Sequence, residues 1–265
     1  MNFTLENLKN YHEEVKSKML IPLNYLIQKY NLDISGISHI GAHVGQEVEI
    51  YKENNIDNIY LFEPQKSIFE KLIKNVNTNE VFCFNFGLGP QNFKTFINTG
   101  ESNDGESASI LRPKLHLDLY PEITFEKKEE IEIKVYDELN ISGVNFICID
   151  TQGYELEALK GCKNSLKKID YIYTEVNRDY LYEENPLISD LDLFLKNFGF
   201  IRVETKWAKD GLLPWGDAFY VKLKNLTKRD ITTFKIKNFM NTSMIYFFFL
   251  KFFTKFKLFI KKLIS

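Results

Sequence analysis

The sequence predicts an α/β fold, a mostly parallel β-sheet covered by helices on both faces, with an antiparallel strand at its end. Three observations predict it. Short apolar runs alternate with stretches of helical spacing along most of the chain. Several runs, such as "NFICIDT" at 145–151, are almost continuously apolar, the pattern of strands buried on both sides. The last two runs, "IRVETKW" and "DAFYVKL", have no helical stretch between them and are expected to pair as a hairpin.

In chain order, residues 4–31 carry Leu5, Leu8, Val15, Met19, Leu23 and Leu26 at helical spacing and predict one or two helices. "ISHIG" (37–41) is a strand, followed by a helix over 45–53. "NIYLFEP" (58–64) is a strand stopped by Pro64, followed by a helix over 65–76. "VFCFNFG" (81–87) is the next strand, and the alternating "FKTFINT" (93–99) is another. Residues 100–130 mix Gly, Asn, Ser, Pro and charge without a period and read as a partly ordered loop. "EIEIKVY" (130–136) alternates with period two. After 145–151 come a helix from Tyr154 to about Lys160, the strand "YIYTEVN" (171–177), a helix over 187–198, and the closing pair at 201–207 and 217–223.

The chain has 265 residues, 44% of them hydrophobic, enough core for one sizeable domain with an appendage. The net charge of −2 carries no nucleic-acid signature, but it is unevenly spread. Residues 222–265 hold eleven Lys/Arg against Asp230 alone, a local +10. On a helical wheel of 244–265, the apolar residues Phe252, Phe253, Phe256, Phe259, Ile260, Leu263 and Ile264 share an arc of about 140°. The lysines at 251, 255, 257, 261 and 262 lie opposite. That pattern predicts an amphipathic helix on an anionic membrane surface, with a helix packed on its own domain as the alternative. The uncharged run is too short for a membrane span. The division is thus 1–34, an N-terminal helical segment; 35–224, the α/β domain; and 225–265, a basic aromatic tail.

Cys83, Cys148 and Cys162 form no CxxC pair, and an odd count argues against a disulfide framework. The N-terminal "MNFTLENLKNYHEEVKSKML" is polar and mixed in charge, so no signal peptide is expected. A cytoplasmic protein, peripheral on the inner membrane face, fits both.

The chemistry gathers at strand ends. Gly41 and Gly45 in "HIGAHVGQE" open a turn where a ligand can approach the backbone and a helix can offer N–H groups; a purely structural turn is the competing reading. Glu63 ends the next strand about 20 residues on, where a carboxylate can accept hydrogen bonds from both hydroxyls of a ribose. Asp150 and Glu175 end two further strands, at the sheet edge where ligands of open α/β sheets collect. The turn lacks the third glycine of G-x-G-x-x-G, so a pyrophosphate fits less well than a compact charged ligand such as S-adenosylmethionine.

The stretches "HIGAHVGQE", "LFEP", "FNFGLG", "ICIDTQGYELEALKG", "YTEVNRDYLYEE", "LDLFLKNFGF" and "WGDAFYVK" run in order across about 37–222. In them the sequence resembles the FkbM-type family of S-adenosylmethionine-dependent methyltransferases. It departs from many members at His39, where they carry Asp. The resemblance implies the class I methyltransferase (Rossmann-like) fold, with a seven-stranded sheet whose last strand is antiparallel. It implies S-adenosyl-L-methionine as cofactor, held by Gly41, Ala42, His43, Gly45 and the ribose-binding Glu63 with Pro64. Asn85 and Gly87 would flank adenine, Ser107 would line the site, and Asp150 would face the transfer centre. Removing a proton from an acceptor hydroxyl needs a carboxylate or imidazole, so Asp150, Glu175 and His43 are the catalytic candidates, with Asp217 a fourth. Trp215 and Tyr154 are read as packing residues first, with stacking on a sugar as the alternative. No metal-ligand spacing appears, and no metal is expected. The expected activity is O-methylation of a sugar or glycan precursor. The rival readings are a nucleotide- or dinucleotide-binding oxidoreductase and a binding module without catalysis.

Overall fold

The computed structural model describes residues 19–77, 79–100 and 104–242. The helix expected over residues 4–18 and the amphipathic helix expected over 244–265 lie outside the described residues.

Seven strands form the main sheet: β1 (Ile37–Ile40), β2 (Ile59–Phe62), β3 (Val81–Phe84), β7 (Phe146–Ile149), β8 (Tyr171–Asn177), β9 (Phe200–Trp207) and β10 (Trp215–Lys222). Their order is β3-β2-β1-β7-β8-β10-β9. β1, β2, β3, β7 and β8 pair in parallel, and β10 runs antiparallel to both of its neighbours. The predicted hairpin therefore exists, and it folds so that its second strand lies inside the sheet. β1, β2, β7 and β8 are buried along their whole length, as their continuous apolar sequences require.

Helices α1 (Leu23–Tyr30), α2 (Val48–Glu53), α3 (Lys66–Asn75), α5 (Glu155–Lys160), α6 (Ile188–Lys196) and α7 (Lys228–Thr242) accompany the sheet. Two apolar clusters, one on each face, make the core. Glu204 on β9 gathers Tyr25, Lys29 and Tyr30 of α1 and Lys237 of α7. Ile231 and Phe234 of α7 pack on the first cluster, so the described start of the basic tail lies against the body.

Two of the predicted strands leave the main sheet. β5 (Phe93–Thr99) and β6 (Lys127–Lys134) pair antiparallel, and the two-residue β4 (Gly87–Leu88) joins β6. The reason is in their period. Ile97, Ile131 and Ile133 form one buried face, while Lys94, Glu130 and Glu132 alternate on the other. A strand with one polar face cannot sit inside a sheet covered on both sides. The described residues of the stretch 100–130 include a short helix, α4 (Leu115–Leu119), and are tied back by a bridge from Pro113 to Tyr182.

The β9 edge is pinned by an ion pair whose cation is buried and whose carboxylate is half-buried. Arg202 on β9 gives Nε and Nη2 to Asp192 of α6 at 2.9 and 2.8 Å and Nη1 to Thr205, and Tyr220 on β10 donates to the same carboxylate. Arg202 is only 1% exposed, so removing its partner strands a buried cation. Asp192→Ala is expected to lower unfolding stability by about 3 kcal/mol in a denaturant titration.

Candidate functional site

The strand order reverses between β1 and β7, which is where open α/β sheets place their ligands. Ile40 registers with both Phe62 and Ile149, so the residues that follow, Gly41, Glu63 and Asp150, sit side by side. β8 brings Glu175 to the same edge. Because β10 runs the other way, its start lies there too, with Asp217 registered opposite Glu175.

The two glycines of the first turn are required by the protein itself. A Cβ on Gly41 (φ +81°) would fall 1.8 Å from the Asp150 carbonyl oxygen. One on Gly45 (φ +80°) would meet Leu72 and Val76 of α3 at 2.8 and 2.9 Å. The N–H groups of Gly41 and Ala42 both donate to the Phe62 carbonyl. Close packing of the chain on itself thus accounts for both glycines. Gly41, Ala42 and His43 still line a cleft, whereas Gly45 lies behind it.

Glu63 closes that cleft. Its carboxylate accepts the His43 N–H at 3.1 Å and the Gln65 N–H at 2.8 Å. Burial pushes it up to about 7, against the pull of those two bonds. Asn85 does not line the cleft: its Nδ2 donates to the Glu63 and Pro64 carbonyls and fixes the chain beyond β2. Pro64 backs Gly87, which lines the cleft with Leu88, Ile97 and Ile133. His43 (φ +46°) has both ring nitrogens engaged. Nε2 faces the Asp104 carbonyl at 3.0 Å and so carries the proton, leaving Nδ1 to accept from Gln46 at 3.2 Å. It brackets the 104–107 loop onto the turn and presents no spare nitrogen for proton abstraction.

The other carboxylates surround a second chamber of about 410 Å³. Glu175, Ser107, His116, Trp215 and Asp217 line it, and Asp150, Gln152, His39, Glu47 and Glu106 line both spaces, so cleft and chamber meet there. Gln152 donates to Asp150 Oδ1 at 2.8 Å and Glu175 Oε2 at 2.9 Å. Burial, then the charges of Asp150, Glu155 and Asp217, push Glu175 well up. Asp217 accepts the Leu20 N–H at 2.7 Å and the Tyr173 hydroxyl, and burial holds it at about 7. His39, bonded through Nδ1 to the Tyr51 hydroxyl, is pushed down to about 4 by burial and is neutral. Among the described residues, no Lys or Arg lines either space.

Sequence reasoning passed over Gln152, Glu155 and His116. Glu155, fully buried, accepts the N–H groups of Thr151 and Gly153 and shapes the turn after β7; burial pushes it up to about 7. His116, against the Tyr120, Phe125 and Tyr182 rings, meets Ser107 Oγ at 3.1 Å. Gln152 and Glu155 follow Asp150 within a single turn, and Gly153 was the available signal there. His116 stands in a stretch without periodicity, which gave none.

This arrangement is that of a class I methyltransferase. Residues 39–202 match the Methyltransferase FkbM domain, and the chain belongs to that family of S-adenosylmethionine-dependent methyltransferases. It is 28% identical over 146 residues to the 2-O-methyltransferase NoeI of Sinorhizobium fredii (strain NBRC 101917 / NGR234), a match covering 51% of this chain and 60% of that relative. The chain therefore spans less than two thirds of the curated relative it matches. The fold is similar to the crystal structure of methyltransferase FkbM from Methylobacillus flagellatus KT, with a TM-score of 0.50 and 14% identity over 80% of this chain and 50% of that one. Magnesium protoporphyrin IX methyltransferase (ChlM) from Synechocystis PCC 6803 with bound SAM aligns at a TM-score of 0.45 and 10% identity, covering 75% of each chain.

Without ligand, the raised carboxyls give the fold a pH dependence of definite sign. Glu63, Glu155 and Asp217 near 7, with Glu175 also raised, mean that the folded state binds more protons than the unfolded state from about pH 4 upward. Their stabilising share is complete below the unfolded carboxyl range and is lost as pH rises through 7. The melting temperature of the cofactor-free protein is expected to fall between pH 5.5 and 8, and Glu175→Gln should flatten that fall in a thermal-shift series.

Proposed function

We propose that the chain is an O-methyltransferase acting on a hydroxyl of a sugar or glycan precursor, at the cytoplasmic face of a membrane. The observation that carries this reading is the meeting of cleft and chamber at Asp150 and Gln152. It provides one space for a cofactor and an adjoining space for an acceptor. The name of the relative, a 2-O-methyltransferase, supports oxygen as the acceptor atom.

The residues present suit the cofactor. Glu63 keeps a lone pair on each oxygen beyond its two backbone bonds, enough to take both ribose hydroxyls. Leu88, Ile97 and Ile133 form an apolar slot for a flat base, with Gly87 leaving room beside it. Gly41, Ala42 and His43 shape the wall toward the amino-acid end, and Gly45, Pro64 and Asn85 support that wall from behind. The carboxylates of Asp150 and Glu47 favour a cation where the two spaces join. S-adenosylmethionine, bound there, supplies an electrophilic methyl group on a sulfonium.

Glu175 then serves as the base. With the cofactor bound, an O–CH3 bond would form as its C–S bond broke, and the Glu175 carboxylate would take the acceptor's proton. Asp150 orients the acceptor hydroxyl, and Ser107 contributes to the chamber wall. Trp215, held by its Nε1 bond to the Tyr120 hydroxyl, offers a flat apolar face for a sugar ring. Residues 244–265, lying beyond the packed α7, would hold the enzyme on anionic lipid.

Glu63→Ala should weaken adenosylhomocysteine binding by about tenfold or more in calorimetry, the loss of two charge-assisted bonds. Glu175→Gln should keep that affinity and cut transfer of labelled methyl groups to cell-envelope glycans by about 10²-fold. A Glu175→Gln enzyme at full rate would remove it as the base. Deleting 243–265 should abolish sedimentation with phosphatidylglycerol vesicles while cofactor binding persists; continued sedimentation would refute the anchor.

A further inference from the structure

Gln152 is a neutral residue held on every side. Its backbone is left-handed (φ +53°), and Gly153 after it has φ +96° with Asn185, Leu111 and Tyr182 within 3.3 Å of where a Cβ would stand. The Gln152 carbonyl accepts from Ser109 Oγ at 2.6 Å. Its amide oxygen lies 2.9 Å from the Tyr182 hydroxyl, which also reaches the Ser107 carbonyl at 3.1 Å. The amide nitrogen gives its two N–H groups to two different carboxylates, Asp150 at 2.8 Å and Glu175 at 2.9 Å. That orientation is forced: turned over, the amide would set its oxygen against both acids.

We propose that Gln152 is the positioning residue of the transfer site, a neutral clamp that spaces Asp150 and Glu175 and fixes one oxygen of each, so that the pair meets the acceptor hydroxyl as a preset unit. The clamp rests on the reading that these two carboxylates serve methyl transfer. Two carboxylates this close, Glu175 buried and Asp150 half-buried, repel, and without a shared donor one of them retains a proton. A donor to both stabilises the doubly ionised pair and at the same time sets the distance between them. Tyr182 fixes the amide's orientation and links it to the 104–109 segment through Ser107, so the clamp is tied to the wall of the acceptor chamber. The other titratable groups around the pair are Glu155 of α5, Asp217 of β10, His39 of β1, Tyr182 itself, Glu47 and Glu106 where cleft and chamber join, and His116 on the chamber wall.

The test uses the full chain and needs no acceptor. The ratio of S-adenosylmethionine to adenosylhomocysteine affinity isolates the sulfonium charge and should rise with pH as the pair ionises. Calorimetry from pH 5.5 to 8.5 gives its midpoint. In Gln152→Leu the midpoint should move up by about one unit, so that the ratio falls by up to about tenfold at a pH between the two midpoints. Gln152→Asn, which tolerates the left-handed backbone but is one methylene short, should move it in the same direction. Tyr182→Phe should move it less. Variants whose affinities drop uniformly with the midpoint unmoved would reduce Gln152 to a structural turn residue, and a wild-type ratio independent of pH would overturn the clamp as well. Failure of the enzyme to methylate glycans would sink the proposed acceptor without touching this result, whereas an unmoved midpoint would sink the clamp with methyl transfer intact.

Discussion

Three carboxylates buried at one sheet edge, each held by neutral donors, set the terms for the rest of the site. Glu63 is bonded by two backbone N–H groups, Glu175 by the amides of Gln152 and Asn177, and Asp217 by the Leu20 N–H and the Tyr173 hydroxyl. A buried charge without a counterion is costly, and these acids respond by binding protons more tightly than they would in water. Tyr173 and Asn177 stand on β8 itself, and the other donors come from loops, which take shapes that deliver N–H groups. Left-handed backbone at His43 and Gln152 follows from that demand as much as from chain reversal.

Topology supplies the acids. Each parallel strand offers its C-terminal end to the edge, which accounts for Glu63 after β2, Asp150 after β7 and Glu175 on β8. A strand parallel to the rest in the place of β10 would have carried Asp217 to the far edge. Inserting the last strand antiparallel between β8 and β9 returns its first residues to the near one, opposite Glu175. The same reversal puts Trp215 and Asp217 on the chamber wall, and Asp217 holds the chain at Leu20 close by, where Met19 lines the chamber.

Much of this was legible because period and position carry it. The largely apolar runs at 145–151 and 171–177 read as strands covered on both faces, and the pair at 201–207 and 217–223 had no helix to make a parallel crossover. Glu63, Asp150 and Glu175 stood out as charges at the ends of such runs. What was hidden depends on partners distant in sequence. Nothing local says that Gly45 faces Leu72 and Val76, or that the Gly41 position is closed by the Asp150 carbonyl. The strands at 93–99 and 130–136 were visible, the second beginning at Lys127 inside the stretch read as loop and ending at Lys134, but their place in a second sheet follows from which face is apolar, a property shared only after they pair. Gln152 carries no charge, and its importance appears only when two acids and Tyr182 converge on one amide.

The proposed chemistry gives these acids a second consequence. Methyl transfer from a sulfonium removes a positive charge from the site and releases a proton from the acceptor hydroxyl. In an acid-lined chamber with no Lys or Arg among its described lining residues, the two changes compensate each other. Before transfer, the sulfonium favours ionised carboxylates, which keeps Glu175 able to act as a base. After transfer, the cation is gone, the carboxyl group returns toward the raised range set by its burial, and the proton it has just taken stays where it is. The local charge therefore changes little over the step, although both the cofactor and the acceptor have changed. The reprotonated site then favours neutral adenosylhomocysteine no more than an empty chamber. A sulfonium bound there would favour loss of that proton, which would return Glu175 to its ionised form.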